Sequence, residues 1–199
     1  MTLGALLVAA APPSERHAAA GRYNVPPVYV SVPSAGPAVN AIANGGFESG
    51  GVNDGWYQCG DAPAFTTKEH PYEGLYDEYS GMASGSGEPL GNSGVCQRVT
   101  IPLDAVLTAQ LYQLSNEANA LYAYQEADLL DDRGSVVLNL YRSVNNRAAW
   151  VKGTWNLAAY AGRTVWIYFG VHGDGYPNDS TQQFLDGVVL RSAGVSKAK

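Results

Sequence analysis

At 199 residues, 46% of them hydrophobic, the chain is long enough to close one sizeable core, which excludes a wholly disordered protein. A net charge of −6, with only 12 Lys and Arg scattered along the sequence, excludes the basic stripe that a nucleic-acid partner requires. Charged residues make up only 15%, while Gly (23) and Tyr (13) are abundant, which points to turn-rich β-structure of extracellular character.

In chain order, residues 1–22 (MTLGALLVAAAPPSERHAAAGR) set a short apolar run before small residues. This has the shape of the back half of a secretory signal without its basic start, with a plain leader as the alternative. The run is too short to cross a bilayer, so no membrane span is expected. Residues 23–43 are proline-punctuated and extended and read as a linker or docking arm, with one β-like run, VYVSV, inside it. Residues 44–192 read as the domain and 193–199 as a tail. Cys59 and Cys96 are an even pair in an apparently exported chain, so a disulfide is expected, with two buried thiols as the alternative. Closing that loop stabilises the fold by about 3 to 4 kcal/mol in the chain-entropy model. Without histidines at suitable spacing the pair does not make a zinc site.

From Asn44 onward, short apolar alternations are separated by Gly, Asn and Asp turns, with almost nothing at helical period. The expected strands are 97–101, 106–114, 121–130, 136–141, 149–157, 164–172 and 184–190, with a short helical turn near 157–161. Strands at this spacing make a sandwich or a barrel. In TVWIYFGVH, Val165, Ile167, Phe169 and Val171 form the natural core face; Trp166, Tyr168 and His172 face the other way. In LYAYQEADLL, Ala123, Ala127 and Leu129 oppose Tyr122, Tyr124, Glu126 and Asp128. Tyr112 and Tyr141 hold comparable positions on their strands. If these strands share a sheet, its outer face is a polar aromatic platform suited to stacking on a sugar, with carboxylates for its hydroxyls. Equally, cross-strand aromatics stabilise sheets, and the N-terminal arm could cover such a face.

The stretch VHGDGYPNDSTQQFLDGVVL gathers acids, glycines, a histidine and an aromatic between two apolar runs. It has no nucleophile-elbow serine and no zincin helix, and His70 and His172 are the only histidines after residue 43. Hydrolysis by a carboxylate pair, such as Glu126 with Asp174, is chemically conceivable, though acids are common on any soluble surface. As a turn the stretch fits by composition. As a rim, His172, Asp174, Tyr176 and Asp179 would meet Glu117, Tyr124 and Glu126 if SNEANALY falls at the same end, and would hold a sugar or a second cation. Asn178-Asp179-Ser180 fits a glycosylation sequon.

NGGFESG followed by GW, then CQRVTIP, EADLLDDRGSVVLNLY, WNLAAYAGRTVWIYFGVHGDG and FLDGVVL, resemble the galactose-binding-domain-like jelly-roll modules appended to secreted bacterial peptidases, including sedolisin-type ones, and to glycoside hydrolases. The resemblance covers Asn44 to Arg191 in the expected order, and no single motif in it is diagnostic. It implies an all-β fold, a two-sheet antiparallel jelly-roll β-sandwich with an extended N-terminal arm. It also implies a secreted, non-catalytic module whose partner is a carbohydrate or cell-surface glycan. Relatives hold a structural Ca2+ ion, and the matching residues here are Glu48 and Asp186, with carbonyl donors near Asn44 and in His70 to Gly74. Gly187 stands where the family more often has a second acid. The alternative for Glu48 and Asp186 is hydrogen bonding to backbone amides at turns. Two other function classes stay open: an assembly subunit whose arm adds as a strand to copies of itself, and an enzyme using Glu126 and Asp174.

Overall fold

The clean alternation of AVLTAQLYQLS puts every second side chain in the interior, and Ala105–Ser115 is an eleven-residue strand with that burial pattern throughout. In the computed structural model, which describes residues 23–28, 40–52, 54–81 and 88–192, this is the fifth of ten strands. They are β1 (Tyr57–Gln58), β2 (Ala64–Thr67), β3 (Asp77–Ser80), β4 (Leu90–Thr100), β5 (Ala105–Ser115), β6 (Tyr124–Leu130), β7 (Val136–Ser143), β8 (Trp150–Asn156), β9 (Thr164–Asp174) and β10 (Thr181–Ser192). A 3-10 turn at Ala158–Tyr160 stands where the helical turn was expected. The strands form two five-stranded sheets, ordered β1-β4-β9-β6-β7 and β2-β3-β10-β5-β8. All these pairings are antiparallel, so the fold is the expected two-sheet sandwich.

Between the sheets lies a core that includes Val95, Leu107, Leu111, Leu129, Ile167, Phe169, Leu185 and Leu190. Phe47 and Trp56 close it at the segment preceding β1, with ring centroids 5.2 Å apart. That segment is tied to β10 through Ala41 N to Leu190 O and Val188 N to Gly45 O. β10 bulges between Asp186 and Val189. The bulge turns Val188 inward and lets residue 187 take a φ of 55°, which glycine supplies without strain.

A second buried cluster, of Tyr23, Cys59, Cys96, Leu130, Trp166 and Tyr168, lies on the far side of the first sheet. The Cys59–Cys96 disulfide is part of it. Tyr23 packs on Tyr168 with centroids 4.5 Å apart, and its N–H donates to Gly134 O. This part of the arm therefore lies against its own chain. Most of the VYVSV run, residues 29–32, lies outside the described residues, as do the leader 1–22 and the tail 193–199.

Several strand limits differ from expectation. β6 begins at Tyr124, because Asn119 caps a turn by accepting Leu121 N and so leaves Tyr122 in the loop. β4 begins at Leu90, since the glycines that read as turns are needed for close approach: a Cβ on Gly94 would meet Phe169 O at 2.4 Å and Tyr168 Oη at 2.6 Å. The short strands β1, β2 and β3 were not foreseen.

Candidate functional site

The sheet partition decides which aromatics share a face. Across the second sheet, Phe65 pairs with Tyr79, Tyr79 with Phe184, Phe184 with Tyr112, and Tyr112 with Trp150. One aromatic from each of the five strands thus forms a single row on the outer face. At about 4.8 Å between strands, the row is about 19 Å long. Tyr79 stacks on Phe184 with centroids 4.6 Å apart and planes 10° from parallel. Tyr112 meets both Phe184 and Trp150 edge to face at 5.7 Å. Gln110 and Lys152 pair on the same face, one row along.

The 68–76 loop, HPYEG included, lies on this row. His70 stacks on Tyr112 at 4.4 Å and meets Phe184 edge-on at 4.6 Å, so Phe184 and Tyr79 are buried. Tyr72 meets Trp150 at 5.7 Å and remains 44% exposed. Within the row Tyr112 and Trp150 are half-buried, as is Phe65 at the other end, and Tyr72 on the loop beside Trp150 is the exposed ring. Of these only Tyr112 was singled out from the sequence, and it was grouped with the other sheet.

Two acids hold that loop. Asp186 Oδ2 accepts Tyr72 N (2.9 Å) and Glu73 N (3.0 Å), and Glu48 accepts Leu75 N (3.0 Å) and Tyr76 N (3.1 Å). Burial raises the Asp186 pKa, the backbone N–H groups of Glu73, Gly187 and Tyr72 pull it down, and the Glu48 charge raises it again. The pair lines a cavity of about 400 Å³ together with Asn40, Glu73 and the glycines 45, 46, 74 and 187. Two carboxylates on one glycine-lined cavity are oxygen donors of the hard kind that calcium takes, and here both oxygens of each accept backbone N–H groups. Asn44 is not among the lining residues; its carbonyl accepts the Trp56 indole N–H and Phe47 N. The loop meets the acids through amide N–H groups, as the turn-capping alternative describes.

The platform expected on the first sheet is not an exposed face. Trp166, Tyr168, Tyr124, Glu126 and Asp128 are each 0–2% exposed. The physical reason is Tyr23, whose ring covers Tyr168 and whose hydroxyl lies 2.5 Å from Glu126 Oε1 and 2.6 Å from Asp128 Oδ2. Arg142 adds to the cover: it bonds Glu126 at 3.2 Å and lies 4.0 Å over the Tyr124 ring. Tyr141 turns into the interior, where its hydroxyl donates to Gln183 Oε1.

The rim is brought together only in part. SNEANALY does fall at the same end as the 175–180 loop, since Asn116 Nδ2 donates to Asn178 O and Ser180 N to Asn116 Oδ1. Asp174 accepts Tyr176 N at 2.9 Å, and Asp179 N reaches Tyr176 O. A carboxylate oxygen of Asp174 lies within 4.8 Å of oxygens from Glu117 and from Glu88, a residue not singled out before. His172 stands apart: it stacks on Tyr124 at 5.1 Å and bonds Asn92 Oδ1 at 2.7 Å, and burial followed by Arg142 lowers its pKa. It lies with the covered face.

No known family profile matches the sequence, and no curated protein is similar to it. Solved structures are. The module TmCBM61, solved in complex with β-1,4-galactotriose, is 15% identical, with 78% of this chain and 99% of that chain covered at a TM-score of 0.55. The CBM22-1 xylan-binding domain of Paenibacillus barcinonensis Xyn10C is 17% identical, covering 82% and 100%, at 0.52. The K1 cleaved adhesin domain of Lys-gingipain from Porphyromonas gingivalis W83 is 16% identical, covering 75% and 96%, at 0.55. Among the described residues no helix is long and apolar enough to cross a membrane. The ten strands of this chain thus have the two-sheet jelly-roll fold of these solved structures.

Proposed function

We propose that the chain is a secreted, non-catalytic module that binds a carbohydrate or cell-surface glycan on the outer face of its second sheet. The observation that carries this reading is the in-register row of aromatics, half-open at Tyr112 and Trp150 with the exposed Tyr72 beside them. Flat rings with polar edges stack on the apolar face of a sugar, and Gln110 and Lys152 lie alongside to meet its hydroxyls. The similar folds solved as xylan-binding or with galactotriose support the substrate class. Glu126, the carboxylate a hydrolase would need, is buried beneath Tyr23 and paired with Arg142, which favours binding over turnover.

Glu48 and Asp186 would hold a structural Ca2+ ion in this reading. Its chemistry there would be electrostatic: it would screen two neighbouring carboxylates and steady the loop that carries His70 and Tyr72 onto the platform.

The test is isothermal titration and affinity electrophoresis against galactan, xylan and a glycan array, using the wild type with Trp150→Ala and Tyr112→Ala. Each variant should weaken binding at least about tenfold, the loss of one stacking contact of about 1.5 kcal/mol. Trp166→Phe, on the covered face, should leave affinity unchanged. Retention of wild-type affinity by both platform variants, or no binding across the panel, would overturn the reading.

A further inference from the structure

Burial on the outer face of the second sheet sorts by charge. Its strands point four charged residues outward: Asp77 on β3, Asp186 and Arg191 on β10, and Lys152 on β8. Both acids are fully buried, and Asp186 is bonded to the 68–76 loop. Lys152 and Arg191 are exposed. In a chain whose 18 acids outnumber its 12 Lys and Arg, the strands of this face therefore present only cations to solvent. Lys152 lies beside the rings. It follows Trp150 by two residues on the same face, about 7 Å along the strand, and pairs with Gln110. Tyr72 adjoins Gln110 at the β10 bulge, where a Cβ on residue 187 would stand 3.4 Å from Gln110 Cγ and 3.9 Å from Tyr72 Cδ1. With planes 67° apart, the Tyr72 and Trp150 rings make a corner bordered by Gln110 and Lys152.

We propose, on the footing of the platform reading, that this corner selects an acidic saccharide, with Lys152 meeting a carboxylate or sulfate group on the sugar that stacks at Trp150. The acids of the covering loop act elsewhere. Glu73 lines the cavity with Glu48 and Asp186, and the charge of Glu69 falls on Asp77 and Tyr79, at the β3 end of the row. β5 carries no charged residue and Lys152 is the single charge on β8. Among the described residues Lys152 has no ion-pair partner. A neutral sugar uses the rings and the amide but leaves that ammonium without a counter-charge. An anionic sugar supplies one, and adjacent rings exclude water from part of the pair, which limits its screening. Lysine is a point charge rather than a planar fork, so it takes a carboxylate or a sulfate alike. Arg191 extends the same sign. It pairs with Val106, as does Asn156, four residues past Lys152, so an acidic oligosaccharide following β8 meets a second cation about 13 Å further along.

The experiment separates ligand class from the platform itself. Neutral galactan and xylan, polygalacturonate and a sulfated galactan are titrated calorimetrically into the full-length wild type, Lys152→Gln, Lys152→Arg and Trp150→Ala, at low and at high salt. Lys152 is exposed on a strand, so its replacement leaves the core untouched; circular dichroism checks that each variant is folded. At low salt the wild type should bind one or both acidic polymers about fivefold more tightly than the neutral ones, the size of one exposed ion pair, and high salt should shrink that ratio. The polymer preferred tells carboxylate from sulfate. Lys152→Gln should bring the ratio of acidic to neutral affinity close to unity, and Lys152→Arg should preserve it. Equal affinity of the wild type for acidic and neutral polymers, or a preference that persists in Lys152→Gln, would overturn the proposal; the platform would still stand if Trp150→Ala weakened binding. Binding of none of the four polymers, or binding unmoved by Trp150→Ala, would overturn the platform and this proposal together.

Discussion

The contact between Tyr23 and the first sheet makes stability depend on pH in a calculable way. Its hydroxyl lies against Glu126 and Asp128 at once, yet it carries one proton and can donate to only one of them. The other contact needs a proton on the carboxyl. Asp128 also accepts the Asn139 amide at 2.7 Å and Glu126 the Arg142 guanidinium at 3.2 Å, so the acids share the proton between them, and Glu126 shows the larger rise in pKa. Burial first, and then the Asp128 charge, raises the Glu126 pKa from 4.5 to about 7. The folded state therefore binds this proton more tightly than the unfolded chain does. Its contribution is fully present below about pH 4.5, declines as pH rises, and is gone above about pH 7. At 1.36 kcal/mol per pH unit, the loss across that window is about 3 kcal/mol. Glu88 and Asp77 are also raised, to about 8 and about 6, so the wild type should lose more than this. The difference between wild type and Glu126→Gln isolates the one group. Urea unfolding at intervals from pH 4.5 to 8 should show the variant losing about 3 kcal/mol less than the wild type over that range. An identical pH slope in the two proteins would refute the assignment of the larger rise to Glu126.

Tyr23→Phe keeps the ring on Tyr168 but removes the donor shared by two buried acids, and should cost about 1–3 kcal/mol in the same unfolding assay. Cys59→Ser/Cys96→Ser opens a loop with a sequence separation of 37 and should lower stability by about 4 kcal/mol in the chain-entropy model, read as a shift in the urea midpoint. Gly45→Ala would put a Cβ 2.1 Å from Val188 O, so calorimetry should show a lower melting temperature, from about 1–3 kcal/mol of overpacking beside the β10 bulge.

The long strands were legible because one face of each is buried against the core: β5 alternates without a break, and Val165, Ile167 and Phe169 lie in the interior as their parity required. The short strands β1–β3, two to four residues each, carry too few residues for any period to show. The aromatic row was missed for a different reason. Parity gives the two faces of a strand, but not which strands are neighbours, and Tyr112 pairs with Phe184 and Trp150 rather than with Tyr124 or Trp166. A signal was present in the sequence: AFTT, DEYS, AQLYQLS, WVKGTWN and QQFLD each bring an aromatic to the face away from the core. Reading them as one row needs the order β2-β3-β10-β5-β8, which joins segments more than 80 residues apart, such as Phe65 and Trp150. The acids were legible as residues and less so as groups. Glu48 and Asp186 line one cavity, whereas Glu88 joins Asp174 only because β4 runs antiparallel to β9 and Leu90 pairs with Asp174.

The two outer faces follow opposite logics, and the difference lies in what covers each. On the first sheet, Tyr23 and Arg142 satisfy the buried acids and remove Trp166, Tyr168 and Tyr124 from solvent, so that face contributes to stability. On the second sheet, the 68–76 loop packs His70 over Phe184 and one side of Tyr112, leaving Tyr112 and Trp150 half-buried at the β5–β8 edge with the loop's own Tyr72 exposed beside them. The loop is held by Glu48 and Asp186, and Asp186 lies two residues from Phe184 on the same strand and the same face. Neutralising those acids therefore acts directly on the placement of His70 and Tyr72. It follows that a cation at Glu48 and Asp186 and a sugar at Trp150 should bind with positive coupling. Each orders the same loop, so whichever arrives first lowers the ordering cost for the second.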